Sequence, residues 1–130
     1  MIDIRNKADI KVFVDTFYSQ IQADELVGAV FAGKINEEEW PQHLEKMYAF
    51  WNSILFQSAE YHGNPFSHHI NLNIGTAHFE RWITLFQKSI DANFEGGKAE
   101  EAKLRAGKMR ILFESKLAHI KSNDKQFPIM

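Results

Sequence analysis

Apolar residues recur at helical spacing along nearly the whole chain. The first set follows the positions i, i+3, i+4, i+7 and i+11 and consists of Ile10, Phe13, Val14, Phe17 and Ile21. Because this spacing gives an α-helix one apolar face, it predicts a long first helix. Asp24 follows as a suitable N-cap, so we expect a short second helix through Leu26, Val30 and Phe31.

A third long helix is predicted from Asn36 to about Gln57. Asn36 and Glu39, three positions apart, have the form of a capping box at a helix start. The apolar face that follows consists of Trp40, His43, Leu44, Met47, Phe50, Trp51, Ile54 and Leu55. At 1.5 Å per residue, this helix would be roughly 30 Å long.

The second half of the chain predicts two more long helices, with a short one before them. Asn64 and Pro65 are typical of an N-cap and a first helical position, and they predict a short helix over residues 66–71. Thr76 is expected to cap the next helix, whose apolar face consists of Phe79, Trp82, Ile83, Phe86 and Ile90. After a break at Gly96 and Gly97, the last helix is expected to bury Ala102, Ala106, Met109, Phe113 and Leu117.

These elements predict an all-α fold in one domain over residues 1–130, with a poorly ordered tail from about residue 122. A chain of 130 residues is long enough to bury one hydrophobic core. The pattern contains no repeat and no convincing strand.

Composition narrows the class of protein. Hydrophobic residues make up 45% of the chain, which is typical of a folded domain. The net charge is −2 and the two signs are mixed, so we expect no nucleic-acid partner. No apolar run reaches membrane-spanning length and the first residues lack a signal-peptide core, so we expect a cytoplasmic protein with no membrane partner. The absence of cysteine excludes disulfides and thiolate-ligated metal sites.

Candidate chemistry is concentrated in the histidines. His43 lies on the apolar face of the third helix, where a lone histidine is more often a hydrogen-bonded core residue than a ligand. His68 and His69 are adjacent on the short helix, so their side chains point about 100° apart. The i, i+3, i+4 spacing of Phe66, His69 and Ile70 places His69 on the buried side and His68 outward. A zinc site is not favoured, because the chain has no H-E-x-x-H motif and no cysteine.

Tyr18, His43 and Trp82 come from three different predicted helices and form a second candidate group. The chain has 11 Phe, 3 Trp and 3 Tyr residues, which either wall a pocket for a large flat ligand or fill an ordinary core. If the three side chains converge, their polar groups would face an apolar pocket in which a ligand supplies the missing hydrogen-bond partner. Taken singly, each is better explained by a hydrogen bond to backbone or water.

An ordered set of motifs nevertheless resembles the truncated haemoglobins, most closely their third group. The motifs are Phe17-Tyr18, Leu26 to Phe31, Glu39 to His43, Phe50-Trp51, Tyr61 to Pro65, His69, and Phe79 to Trp82. The resemblance extends from about residue 8 to residue 120. It implies a two-over-two helical sandwich around one non-covalently bound haem b. Where the family often has a proline after the glycine of the second helix, this chain has Ala29, a change that should leave the pocket intact.

The resemblance also implies roles for individual residues. The proximal iron ligand of the family falls on His69, and its distal ligand pocket falls on Tyr18, His43 and Trp82. Side chains expected to pack on the macrocycle are Phe31, Met47, Phe50, Phe79 and Met109. Lys46 is expected to reach a haem propionate, since a long basic side chain keeps its charge at the pocket mouth. Arg105 is a weaker candidate for the same role.

The function implied is the binding of dioxygen, nitric oxide and carbon monoxide at a five-coordinate iron. Two hydrogen bonds to bound oxygen would make its release slow, which favours redox chemistry of the nitric oxide dioxygenase or peroxidase kind over bulk transport. Such turnover needs a reductase that the sequence does not name. Two alternatives stay open, namely a haem-based binder or sensor without turnover and a haem-free helical interaction module.

Overall fold

The computed structural model describes residues 1–57 and 74–126, with side chains as far as residue 119. Five α-helices account for most of this part of the chain. They are α1 (Lys7–Ala23), α2 (Glu25–Lys34), α3 (Trp40–Phe56), α4 (Thr76–Asp91) and α5 (Gly97–Gln126), with a 3₁₀ turn at Glu37–Glu39. The one β feature among the described residues is an isolated bridge between Ile2 and Phe94. The predicted all-α class is confirmed.

Helix α1 has the buried face that the sequence predicts. All five apolar residues of the first set are buried, and Tyr18 is buried with them. The Asn6 side chain caps the helix by accepting a hydrogen bond from the Asp9 N–H at 3.0 Å.

Helix α2 begins as expected. The Asp24 carboxylate accepts hydrogen bonds from the N–H groups of Leu26 and Val27, each at 3.0 Å, so the predicted cap is confirmed. The helix buries Val27 and Gly28, whereas Leu26 is exposed. A Cβ atom at Gly28 would lie 2.8 Å from the Ile21 carbonyl oxygen. The bare glycine face therefore packs against the end of α1, and this orientation turns Leu26 to the surface.

Helix α3 has the N-cap that the sequence predicts, but its first turn is not α-helical. Asn36 caps a 3₁₀ turn at Glu37–Glu39, which leads directly into the α-helix at Trp40. The capping box is confirmed, and in it the Glu39 carboxylate accepts a hydrogen bond from the Asn36 N–H at 3.0 Å. Pro41 lies in the first turn, where its missing N–H costs nothing.

Helix α4 is capped by Gly75 rather than by Thr76, so the predicted cap is one residue too late. The reason is that His78 Nδ1 accepts a hydrogen bond from the Gly75 N–H at 3.1 Å, which places Thr76 in the first turn. Helix α5 continues to Gln126, four residues beyond Ser122, where the sequence predicts a tail.

The helices pack as two pairs. Helix α1 contacts α3 in one pair, α4 contacts α5 in the other, and α1 also packs across α4. Phe86 of α4 lies at the crossing, where its ring stacks on Trp51 at 5.0 Å and meets Phe13 edge-on at 5.8 Å. This arrangement is a two-over-two helical sandwich.

Asp3 connects the N-terminal segment to the start of α5. Its carboxylate accepts hydrogen bonds from the N–H groups of Lys98 and Ala99, both at 2.8 Å. Burial alone would raise the pKa of Asp3, but hydrogen bonds from three backbone N–H groups and the charge of Lys98 outweigh it and lower that pKa below its ordinary value. Gly96 makes this approach possible, because it has φ +136° and a Cβ there would lie 2.6 Å from Asp3 Cγ.

Candidate functional site

A cavity of about 310 Å³ lies among the helices. Its described lining is mostly aromatic and aliphatic, and all five helices contribute to it. A cavity of this size and polarity is typical of a binding site for an apolar small molecule.

Tyr18 and His43 meet at the cavity. Their ring centroids are 5.2 Å apart and the ring planes are at 89°. Trp40 lies edge-on to both rings, at 5.7 Å from Tyr18 and 5.5 Å from His43. Since Tyr18 belongs to α1 and His43 to α3, the packing of these two helices creates this polar corner of an otherwise apolar space.

Trp82 of α4 lines the same cavity. Phe17 lies between Trp82 and Tyr18, with its ring centroid 5.7 Å from Trp82 and 4.9 Å from Tyr18. The structure therefore brings the three distal residues implied by the resemblance into one cavity.

The five residues expected to pack on a flat ligand also line this cavity, and so does Lys46, the expected propionate contact. The five are Phe31, Met47, Phe50, Phe79 and Met109. Arg105, the weaker candidate for a propionate contact, lies elsewhere. It is exposed, its guanidinium is 3.7 Å from the Glu101 carboxylate, and it is not among the described lining residues.

His69 lies outside the described residues, as do His62, His68 and the predicted short helix over 66–71. The described chain resumes at Ile74, which is buried and lines the cavity.

Several lining residues were not expected from the sequence. The apolar ones are Val27, Val30, Ile35, Trp51, Ile74 and Phe113, and the polar ones are Lys34, Glu39, Gln42, His78 and Arg110. Phe113 follows Met109 by one i, i+4 step, so helical spacing could have added it to the lining. The polar residues lie outside the apolar faces predicted from the sequence, so only the packing of the helices reveals that they line the cavity.

Basic side chains give the cavity a polar edge. Lys34 and Lys46 both line it and are largely exposed, so their ammonium groups lie where the cavity meets solvent. Arg110 is engaged with other carboxylates, 3.6 Å from Glu114 and 3.9 Å from Glu80. An aromatic interior with two exposed lysines at its edge fits a flat apolar group that carries carboxylates, as haem does.

Two further properties concern only the described part of the chain. There, no three or more His, Cys, Asp or Glu side chains are grouped in a way that could hold a metal ion. Of the helices that the structure describes, none combines the length and the apolar character needed to span a bilayer.

Comparison with known proteins identifies the family. Residues 3–113 match the family described as bacterial-like globin. The chain belongs to this family. Globins bind haem and diatomic gases such as oxygen, so family membership implies the same general function for this globin.

Individual relatives agree with this result. This globin is 30% identical over 89 residues to the group 3 truncated hemoglobin ctb of Campylobacter jejuni, a match that covers 66% of this chain and 70% of the relative. It also resembles the crystal structure of a group III truncated hemoglobin from Campylobacter jejuni, with a TM-score of 0.79 and 27% identity, over 87% of this chain and 91% of the other. The resemblance to truncated haemoglobins, most closely their third group, is confirmed.

Proposed function

We propose that this globin holds one non-covalent haem b through His69 and binds dioxygen and related diatomic ligands at a five-coordinate iron. The observation that carries the proposal is the cavity, where aromatic walls, a polar corner of Tyr18 and His43, and an edge of two lysines occur together. Haem supplies an iron that binds such gases and exchanges electrons. The protein supplies the pocket, the hydrogen-bond donors and the charges.

Chain connectivity supports His69 as the iron ligand. His69 is five residues before Ile74, and five residues span at most about 18 Å even when fully extended. Because Ile74 is part of the cavity wall, this chain length allows the proposed position of His69 at the cavity. The cavity lining also includes His43 and His78. His78 is a poorer candidate for the iron ligand, because its Nδ1 already accepts a hydrogen bond from the Gly75 N–H.

The polar side chains of the cavity favour tight retention of a partly anionic ligand. Tyr18 has a hydroxyl donor and Trp82 an indole N–H donor, and both residues line the cavity. A hydrogen bond to a charged acceptor is worth roughly 1.5–3 kcal/mol, which slows release by about one to two orders of magnitude. Slow release suits redox chemistry on oxygen, nitric oxide or peroxide better than bulk oxygen transport. Such redox chemistry requires an external reductase.

Lys46 and Lys34 are the proposed partners of the two haem propionates. Lys46 extends the α3 face that already carries His43 and Met47. Lys34 is the last residue of α2, where a cation is also favoured by the helix dipole. Both lysines are cavity residues and neither has an ion pair among the described contacts.

The experiment that tests the proposal is a titration of the purified chain with haemin, followed by visible absorption. We expect a sharp Soret band that saturates at one haem per chain and a carbonyl complex after reduction. A preparation that stays at the spectrum of free haemin would contradict the proposal. Stopped-flow mixing of the oxygenated form with nitric oxide then tests the redox part, since decay no faster than that of free haem would count against turnover.

A further inference from the structure

A hydrogen bond between side chains joins α1 to α3 outside the cavity. The Tyr48 hydroxyl donates to the Asp15 carboxylate, and Tyr48 is only 6% exposed. Burial, then the hydrogen bond to Asp15, then the charges of Asp15 and Glu45 raise the pKa of Tyr48, so its hydroxyl stays protonated and remains a donor at neutral pH. Neither residue is among the cavity residues that the structure describes.

Both partners are close in sequence to residues of the polar corner. Asp15 precedes Tyr18 by three residues in α1, which is a rise of about 4.5 Å along the helix axis. Tyr48 follows His43 by five residues in α3. A helix transmits a shift along its axis over such short distances, so the bond constrains α1 against α3 within about a turn and a half of the Tyr18–His43 contact.

This constraint matters because hydrogen bonds weaken steeply with poor distance and angle. A small axial displacement of α1 relative to α3 would move the Tyr18 hydroxyl relative to a ligand in the cavity. Three described ring contacts also join these helices, namely Phe13 with Trp51 at 5.7 Å, Tyr18 with Trp40 at 5.7 Å and Tyr18 with His43 at 5.2 Å. These are edge-on contacts between rings, which are less directional than a hydrogen bond and therefore fix the axial position less strictly.

We propose that Asp15 and Tyr48 are positioning residues that hold Tyr18 in place against His43 and thereby set how slowly a diatomic ligand leaves the cavity. The inference rests on the haem function proposed above. It assigns a functional role to two residues that touch neither haem nor ligand. A purely structural bond would stabilise the fold and leave the ligand kinetics unchanged.

The test uses conservative variants of the haem-loaded protein. Tyr48→Phe removes only the hydroxyl, Asp15→Ala removes the acceptor, and Asp15→Asn retains an acceptor oxygen of the same shape. The measurements are the oxygen dissociation rate of the ferrous protein and the infrared stretching band of its carbonyl complex. We expect Tyr48→Phe and Asp15→Ala to change the rate by about threefold or more and to shift the band, whereas Asp15→Asn stays near the wild type.

Two comparisons show whether the effect passes through Tyr18. In a Tyr18→Phe background, Tyr48→Phe should have no further effect on the rate, because the group that it positions is gone. Ser89→Ala is the matched control. It removes a buried hydroxyl that donates to the Leu85 carbonyl within α4 at 2.8 Å, and it should leave the rate unchanged.

The outcomes separate this inference from the proposed function. A normal Soret band with equal rates in the wild type and Tyr48→Phe overturns the positioning role alone. An equal effect of Tyr48→Phe with and without Tyr18, or an equal effect of Ser89→Ala, also overturns it. A chain that forms no haem complex overturns the proposed function and this inference together.

Discussion

The rings of Tyr18 and His43 meet almost at right angles, at 89° and 5.2 Å between centroids, although the residues belong to α1 and α3. The contact gives the cavity one polar corner, and Trp82 contributes a third polar group from α4. A cavity lined by aromatic and aliphatic groups elsewhere makes any hydrogen bond in this corner stronger than it would be in water.

Replacing Tyr18 or Trp82 by Phe should speed the release of bound oxygen. Each substitution keeps an aromatic ring and removes a donor, so the expected change in the oxygen dissociation rate is at least several-fold. Stopped-flow displacement of oxygen by carbon monoxide measures this rate in the haem-loaded protein. Unchanged rates in both variants would mean that neither side chain contacts the ligand.

Lys34→Gln and Lys46→Gln should each release haem faster than the wild type. An exposed ion pair is worth about 0.2–1 kcal/mol, so the expected acceleration is about 1.5- to 5-fold in transfer of haem to an acceptor protein. The matched control is Lys108→Gln, since Lys108 lines a separate groove between α4 and α5.

The dimethyl ester of haem shows whether these lysines act through the propionates. The ester has no carboxylates, so the wild type and both lysine variants should release it at the same rate. A lysine variant that still accelerates release of the ester would act by another route, and the assignment of that lysine would be wrong.

Asp3→Ala should lower the free energy of unfolding by about 0.5–2 kcal/mol at neutral pH, because α5 loses its N-terminal acceptor. The pKa of Asp3 is lowered from 3.8 in the folded protein. Its charge therefore stabilises the fold above the unfolded pKa, and this contribution is lost as the pH falls through the folded value. In urea unfolding, the difference between wild type and Asp3→Ala should shrink from about pH 5 downward. Asp3→Asn does not titrate at this position, so its difference from Asp3→Ala should stay constant with pH. A wild-type difference independent of pH, or a difference between Asp3→Asn and Asp3→Ala that shrinks in the same way, would contradict this.

Much of the fold can be predicted from the sequence because interactions between nearby residues determine it. The apolar positions of α1 are correctly predicted since every one of them faces the core, and the Asp24 cap depends only on its own two neighbouring N–H groups. The differences have one tertiary and one local cause. Leu26 is exposed because Gly28 packs against the end of α1. Thr76 is not the cap because His78, only three residues after Gly75, accepts a hydrogen bond from the Gly75 N–H.

The candidate site is predictable to a similar degree. Tyr18, His43 and Trp82 share a cavity as the resemblance implies, and the five expected packing residues and Lys46 also line it. Lys34 and Arg110 could not be predicted as cavity residues in this way, because each is a charged residue outside the predicted apolar faces. Tyr48 was missed as a buried residue of α3, although helical spacing places it with Leu44 and Trp51 on the predicted face, and its partner Asp15 lies in a different helix.

The most direct test of the account compares the haem affinity of His69→Ala with that of His68→Ala. His69→Ala should fail to retain haem through gel filtration, and added imidazole should restore its Soret band. His68→Ala should behave as the wild type. Retention of haem with an unchanged spectrum in His69→Ala would contradict the central claim, and loss of haem in His68→Ala alone would move the iron ligand by one residue.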